Sequence, residues 1–411
     1  RMALFSGRTV LSRALRVVGV RHEHILSSII GKTDPPAKWA VGPGEVGQVV
    51  VIGGGAIGSL MAGRIAAVPG MEKRVWMLTS WVEHAQAIAE VNGLVVHDER
   101  GGEFQRRSMF GQVKVVSDAE AILHWGSGAG RPEEMAQANV VIVAVKQSGM
   151  RWAADQAARI LGGAHGGIAV TLLNGLGHIP TLQSAMRYHD VTGTMVHGVF
   201  TGGAVVHQPG AVTHTGHGAA TLGLVGPKPD SLTLKLLDKT VALLNAAELP
   251  ARISPAVLEV AWEKLCINAA LNALGAILGK TNGEVVDSED SRALLRAAAM
   301  EAHTVAVAVL KRELGEAFVA ASVFCQRGPE EQADLAEHVC RLTRANRNSM
   351  LGDVERGRAT EVEAINGAVV DAGLLEGIPT PTNLTLLRLI RALQHQHSPD
   401  PPEEDDTPDA P

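Results

Sequence analysis

The apolar run Val49-Val50-Val51-Ile52 passes directly into Gly53-Gly54-Gly55-Ala56-Ile57-Gly58 and then into a helical pattern from Leu60 to Val68. A β-branched strand that turns at once into a helix through Gly-x-Gly-x-x-Gly is the opening of a βαβ dinucleotide-binding unit. Gly53 permits the tight turn, Gly55 lets the backbone approach a pyrophosphate, and Gly58 lets the helix pack close to the strand. The helix N-terminus then faces negative charge. A tight strand–helix turn without a ligand is the bland alternative. The flanking strand and helix favour the functional one, so Gly53, Gly54, Gly55, Ala56, Ile57 and Gly58 are assigned to a cofactor.

The pattern continues as this opening requires. A second strand is expected at Val75 to Leu78 and a helix from Val82 to Val91. Val140 to Val145 and Ile168 to Leu172 read as buried strands, each followed by a helical stretch. Apolar strands alternating with helices predict a parallel sheet covered on both faces. Short alternating strands with glycine turns between Thr192 and Leu224 predict an antiparallel extension, and Gly126 to Gly130 a surface insertion. From Pro255 the periodicity becomes helical: Leu258 to Leu278, Ser291 to Leu314, and one long helix from Glu330 to Glu355 stopped by Gly357. Thr360, with Glu363 three residues on, predicts a capping box opening a further helix. The expected architecture is α/β: an N-terminal Rossmann-type dinucleotide-binding domain over 48–253, then an all-helical substrate domain over 254–397.

The ends are of another kind. Residues 1–22 carry Arg1, Arg8, Arg13, Arg16 and Arg21 with no acid before Glu23, interleaved with serines and apolar residues. That composition predicts an organelle transit peptide and mitochondrial targeting; a basic tail on a cytoplasmic protein is the alternative. A Pro/Gly-rich linker closes the segment 1–47. Residues 398–411 are acidic and proline-rich, and are expected to form a solvated, disordered tail.

Composition excludes several function classes. With 46% hydrophobic and 19% charged residues among 411, there is ample material for two buried cores. A net charge of −6 with no basic block leaves no electrostatic footprint for nucleic acid. No uninterrupted apolar run approaches the length of a membrane span. Cys266, Cys325 and Cys340 are odd in number and widely spaced, which suits neither a disulfide framework nor a zinc site. His197, His214 and His217 lack a carboxylate at ligand spacing and read as structural, so no metal is expected. The partner implied is a small-molecule substrate, with a homodimer the one assembly left open.

Cofactor discrimination falls after the second strand, where an acid would hold a ribose diol and an arginine a 2′-phosphate. Thr79-Ser80-Trp81 offers neither. Thr79 and Ser80 could hydrogen-bond a phosphate, with Lys73, Arg74 or His84 nearby, so NADPH and NADH both stay open on this ground.

Four clusters carry a family resemblance. They are Val143-Ala144-Val145-Lys146-Gln147 at a strand end, Leu173-Asn174-Gly175-Leu176-Gly177 after the next strand, Trp262-Glu263-Lys264-Leu265 with Asn268 and Asn272, and Asn346-x-x-Ser349-Met350-Leu351-x-Asp353 running on to Thr360-Glu361-x-Glu363-Ala364-Ile365-Asn366-Gly367. Over roughly residues 48–394 the chain resembles the ketopantoate reductases, which reduce 2-dehydropantoate to pantoate with NADPH for pantothenate synthesis. The resemblance implies Lys264 as general acid, Glu361 and Ser349 as substrate contacts, and Asn174, Asn268, Asn272 and Asn346 as holding substrate or cofactor. Glu361 would also reach the cofactor, and Lys146 would sit beside it. It implies NADPH, although many members carry an arginine where this chain has Thr79 and Ser80.

The residues agree on their own chemistry. Hydride delivery to a ketone leaves charge on oxygen, which a positioned ammonium can stabilise and protonate. Lys264, Asn268 and Asn272 recur at i, i+4 and i+8 on one face of an otherwise apolar helix, and polar groups buried there need partners. A snorkelling lysine paired with Glu259 or Glu263 would give the same spacing. Glu361 could merely favour a helix N-terminus, Ser349 be an exposed helix serine, and Asn174 a turn residue. A reductase of another branched 2-oxo acid would share the whole pattern. A catalytically silent dinucleotide sensor would keep the glycines and lose Lys264 or Glu361, and both are retained.

Overall fold

A computed structural model describes residues 46–99, 107–117, 138–161, 167–191, 193–225 and 230–395. The segment expected to be a transit peptide, the expected Gly126–Gly130 insertion and the acidic tail 398–411 lie outside the described residues. The chain divides into two compact units, Arg1–Ala261 and Trp262–Pro411.

In the first unit, β1 (Gln48–Ile52) leads into α1 (Ala56–Ala66), then β2 (Val75–Thr79) and α2 (Val82–Val91). Three short strands follow, β3 (Leu94–Asp98), β4 (Arg107–Gly111) and β5 (Val113–Ser117). Next come β6 (Ala138–Val143), α3 (Met150–Leu161), β7 (Ile168–Thr171), α4 (His178–Tyr188) and β8 (Thr194–Phe200). The unit closes with β9 (Gly203–Gln208), β10 (Ala211–Gly216), β11 (Ala220–Leu224), α5 (Ser231–Ala246) and β12 (Ala251–Ile253). The main sheet has the order β12-β11-β8-β7-β6-β1-β2-β5. Its pairings are parallel except β8 with β11.

Strand β1 shows why such strands read as unbroken apolar runs. Val49 and Val51 face one core with Leu60 and Ile65 of α1, while Val50 and Ile52 face another with Met150 and Ala157 of α3. Both faces of the pleat are therefore buried. The antiparallel extension expected over 192–224 is only partly one. Strand β8 adds parallel to β7 and β11 antiparallel to β8, while β9 and β10 pair antiparallel in a separate sheet of order β4-β3-β10-β9. Helix α1 packs against strands of both sheets, which buries nearly its whole surface, Arg64 included.

The second unit is helical. Helix α6 (Val257–Leu278) runs across the division between units, and α7 (Asn282–Asp287), α8 (Glu289–Leu314), α9 (Glu316–Ala321) and α10 (Val323–Gln326) follow it. The division falls inside α6 rather than near residue 253, because Val257, Val260 and Ala261 still pack with Val199. Helix α8 is long and apolar enough to cross a membrane by composition. It buries Leu295, Ala298, Ala302 and Val305, packs against α11 (Pro329–Leu342), and carries Arg296 paired with Glu330 and Asp334. It is a core helix of this unit.

The expected helix over Glu330 to Glu355 is two. Helix α11 ends at Leu342, and α12 (Ser349–Glu355) begins anew, with the Asn348 side chain accepting the Leu351 N–H at 2.9 Å. Between them the carbonyls of Arg344 and Asn346 accept N–H groups of Gly283 and Asn282 instead of continuing a helix. The capping box at Thr360 is also not formed. Arg391 grips the Glu363 carboxylate with two bonds of 2.6 and 2.7 Å, and the Thr360 N–H donates to Gln394. A charge-assisted fork outcompetes a backbone amide for a carboxylate. Glu363–Gly367 is a π-helical turn, followed by α13 (Ala368–Glu376) and α14 (Pro381–His395).

Candidate active site

The main sheet places the first group of residues. From β1 the chain runs outward through β2 to β5, then returns to β6 on the other side of β1. The carboxyl ends of β1 and β6 thus form a switch point, where open parallel sheets bind ligands. Gly53–Gly58 follows β1, Lys146 follows β6, and Asn174 follows β7.

Within the loop the glycines are required for different reasons. Gly53 has φ +117°, and a Cβ there would run into the Ala144 carbonyl. At Gly58 it would meet the Gly53 carbonyl, and at Gly54 the Thr79 hydroxyl. Gly55 has ordinary torsions (φ −73°), is exposed, and has nothing within 4 Å of an added Cβ. Ala56 and Ile57 open α1, which has no acidic residue in its first turn. A glycine that the protein itself does not need, at an uncapped helix N-terminus free of negative charge, fits a pyrophosphate.

Ser80 is exposed. Thr79 is buried, and its hydroxyl accepts the Trp81 N–H at 3.1 Å. His84, considered as a phosphate neighbour, faces inward between Ser59 and the Gly210 N–H, and burial lowers its pKa to about 4. It is neutral, and both of its ring nitrogens are engaged by protein groups. Lys146 is exposed. Asn174 is half-buried before Gly175, whose φ is +85°, which is the turn geometry expected there. Gln147, quoted within the Val143–Gln147 cluster, carries no role in the sequence reading. Its Oε1 is buried without a hydrogen-bond partner, and its amide nitrogen lies near Gly177 of the next loop. Adjacency to Lys146 was its only signal.

The second unit holds the other group. Lys264, Asn268 and Asn272 lie on one continuous helix, with Asn272 buried and the other two half-buried. Burial pulls the Lys264 pKa from 10.5 down to about 8, and the nearby Glu361 carboxylate opposes that shift. The Glu263 carboxylate accepts from Arg327 at 2.6 Å in a buried ion pair. Glu361 precedes the π turn, and the Asn366 side chain of that turn donates to the Ala269 carbonyl of α6 at 2.9 Å. The segment bearing Glu361 is thereby tied to the helix bearing Lys264.

Ser349 is exposed at the first position of α12, not within a long helix, and Asn346 is exposed in the preceding turn. Asn348, which sequence reading passed over, has a buried Nδ2 without a partner beside Gly275 of α6. The three cysteines are buried thiols outside any disulfide, and burial pushes the Cys340 thiol up to about 12. Both features mark structural cysteines.

One further cluster arises where sequence spacing offered no carboxylate. Asp98 of β3 joins His214 of β10 and His217, with potential ligand atoms within 4.8 Å of one another. Arg64 engages two of these residues, donating to Asp98 Oδ2 at 2.5 Å and lying 3.1 Å from His214 Nδ1, with Glu248 on its other nitrogen at 3.0 Å, while His217 Nε2 lies 3.1 Å from Asp98 Oδ1. An Nδ1 that accepts from Arg64 leaves the neutral ring's proton on Nε2, so neither nitrogen offers a lone pair to a metal. The cluster is a buried ion pair walled by histidines.

The chain is similar to known proteins over most of its length. Residues 49–227 match the family model "Ketopantoate reductase PanE/ApbA", and residues 256–394 match its C-terminal counterpart. The 2-dehydropantoate 2-reductase of Halobacterium salinarum is 29% identical over 348 residues, covering 84% of this chain and 99% of that one. That of Archaeoglobus fulgidus is 29% identical over 350 residues, 85% of this chain and 99% of that one. Among solved structures, a PanE/ApbA family ketopantoate reductase from Ralstonia eutropha has a TM-score of 0.65 at 24% identity, covering 85% of this chain and 99% of that one. D-Mandelate dehydrogenase in ternary complex with NADH and anilino(oxo)acetate has a TM-score of 0.66 at 20% identity, with the same coverage.

Proposed function

This chain belongs to the ketopantoate reductase family, and from that premise we propose that it reduces 2-dehydropantoate (ketopantoate) to pantoate with NADPH, a step toward pantothenate and coenzyme A. The observation that carries the reading is Lys264, whose pKa is drawn down to about 8 with Glu361 alongside. A lysine in that state keeps its proton at neutral pH and releases it readily.

A reduced nicotinamide, when bound, supplies a hydride to the substrate's keto carbon. Gly53–Gly58 would hold its pyrophosphate against the α1 N-terminus, and Ser80 is the exposed hydroxyl available to a 2′-phosphate. Lys264 stabilises the charge developing on the carbonyl oxygen and gives it the Nζ proton, leaving a neutral amine that water reprotonates. Glu361 favours the charged form before the reaction. Asn268, Asn272, Asn174, Asn346 and Ser349 are assigned hydrogen bonds to substrate or cofactor, and Lys146 a place beside the cofactor.

A second reading keeps the reaction and changes the acid. D-Mandelate dehydrogenase resembles this fold as closely as a ketopantoate reductase does, and its complex holds NADH. Pocket shape, not fold, decides between such substrates. The test is oxidation of NADPH and of NADH by purified protein against a panel of 2-oxo acids containing ketopantoate and phenylglyoxylate. Highest kcat/KM with ketopantoate and NADPH is expected. Turnover of phenylglyoxylate but not ketopantoate would establish the second reading, and an NADH efficiency equal to or above that of NADPH would refute the cofactor assignment. The arginine-rich leader adds mitochondrial targeting to the proposal, which a fluorescent fusion of residues 1–45 would check.

A further inference from the structure

Helix α2 reaches the glycine loop through a line of hydrogen bonds that the proposed chemistry does not use. The Gly210 N–H, in the β9–β10 turn, donates to His84 Nδ1 at 3.1 Å. His84 Nε2 lies 2.9 Å from Ser59 Oγ, and Ser59 Oγ donates to the Gly54 carbonyl at 3.2 Å. A backbone N–H can only donate, so His84 Nδ1 is an acceptor and the single ring proton sits on Nε2. That proton goes to Ser59 Oγ, which frees the serine proton for Gly54. Every bond in the line then runs one way, toward the loop. His84 is fully buried and its ring stacks on Trp81 at 4.8 Å, and burial keeps it neutral.

We infer that His84 is a positioning residue for the dinucleotide site, holding the Gly54 carbonyl inward through Ser59 and so aiming the Gly54–Gly55 peptide at the pyrophosphate. In a trans peptide the C=O and N–H point opposite ways. A Gly54 carbonyl pinned on Ser59 therefore turns the Gly55 N–H to the side away from Ser59, at an exposed glycine whose added Cβ would meet nothing within 4 Å among the described residues. Three consecutive glycines would otherwise sample many conformations, and an anion site built from backbone N–H groups gains affinity by being set in advance. The Thr79 hydroxyl packed under Gly54 supports the same peptide from β2. The inference rests on the dinucleotide reading of the loop.

The test separates the two. NADPH and NADH are titrated by fluorescence against wild type, Ser59→Ala, His84→Phe, His84→Asn and His84→Gln. Phenylalanine keeps the stack without polar atoms, asparagine replaces only the Nδ1 acceptor, and glutamine restores a donor toward Ser59. Losses of about tenfold in affinity are expected for Ser59→Ala, His84→Phe and His84→Asn, the scale of one directed hydrogen bond, with kcat little changed and most of the loss recovered in His84→Gln. Adding His84→Phe to Ser59→Ala should cost little more, since both break one line. Wild-type affinity in His84→Phe, or additive losses in the double variant, would overturn the relay alone. A wild-type protein that binds neither dinucleotide would overturn the loop reading and the relay with it. Should the variants fold poorly, ¹⁵N imidazole shifts of dinucleotide-free wild type decide: an Nε2–H tautomer is expected at His84, and Nδ1–H would refute the relay.

Discussion

At Gly55 the backbone torsions are open to any amino acid and an added Cβ would touch no atom of the described residues. Gly55→Val should therefore leave melting nearly unchanged, at a cost of no more than about 1 kcal/mol for a poorer N-cap. It should raise the dinucleotide KM by roughly tenfold or more, because the side chain occupies the ligand's space. Unaltered affinity would remove the pyrophosphate from this loop. At Lys264 the folded pKa of about 8 lies below the ordinary lysine value of 10.5. The acid form is full below 8, so kcat for reduction should fall as pH rises through that value. Glu361→Gln removes the carboxylate charge that raises the pKa and should move the fall to lower pH, and a pH–rate profile checks both. The stability sign is the reverse. The cost of burying the ammonium is complete below pH 8 and disappears as pH climbs from 8 to 10.5, where the unfolded chain binds the extra proton. Lys264→Met should thus melt above wild type at pH 7, and the gap should close by pH 10.5. Asp98→Asn leaves the fully buried Arg64 without its shortest partner, and should cost about 3 kcal/mol in urea unfolding.

Legibility at the scale of elements followed periodicity. Strand β1 and helices α2, α6 and α8 lie within a few residues of the expected spans, because their apolar patterns are long and their neighbours enforce them. Failures came where local signals competed with distant partners. Asn348 interrupts a run that reads as helix from Glu330 to Glu355, by accepting a helix N–H itself. Thr360 and Glu363 carry the letters of a capping box, yet Arg391, 28 residues on, takes the carboxylate. No local pattern announces such a competitor. The second sheet was invisible for a related reason. It pairs β3 with β10 in parallel across a long stretch of chain, and each strand is short and only partly apolar. The candidate site was legible where chemistry is local, as in Gly53–Gly58 and the Lys264 face. The Ser59–His84 line was not, since its partners come from elements that only folding brings together.

For the whole molecule, each unit carries one share of the proposed chemistry: the glycine loop lies in the first and Lys264 with Glu361 in the second. The segment after residue 397 is acidic and proline-rich, with little apolar surface to bury. Removing residues 1–40 and 398–411 should leave activity and Tm nearly unchanged, and a marked drop in Tm would mean that one of them docks on the body. The division of labour also states what the most direct test must read. Wild type and Lys264→Ala are compared for NADPH-dependent reduction of ketopantoate and, on the same samples, for NADPH binding. The account predicts a loss of about 10²–10⁴ in kcat with dinucleotide affinity unchanged. A Lys264→Ala protein with kcat within a few-fold of wild type would contradict it.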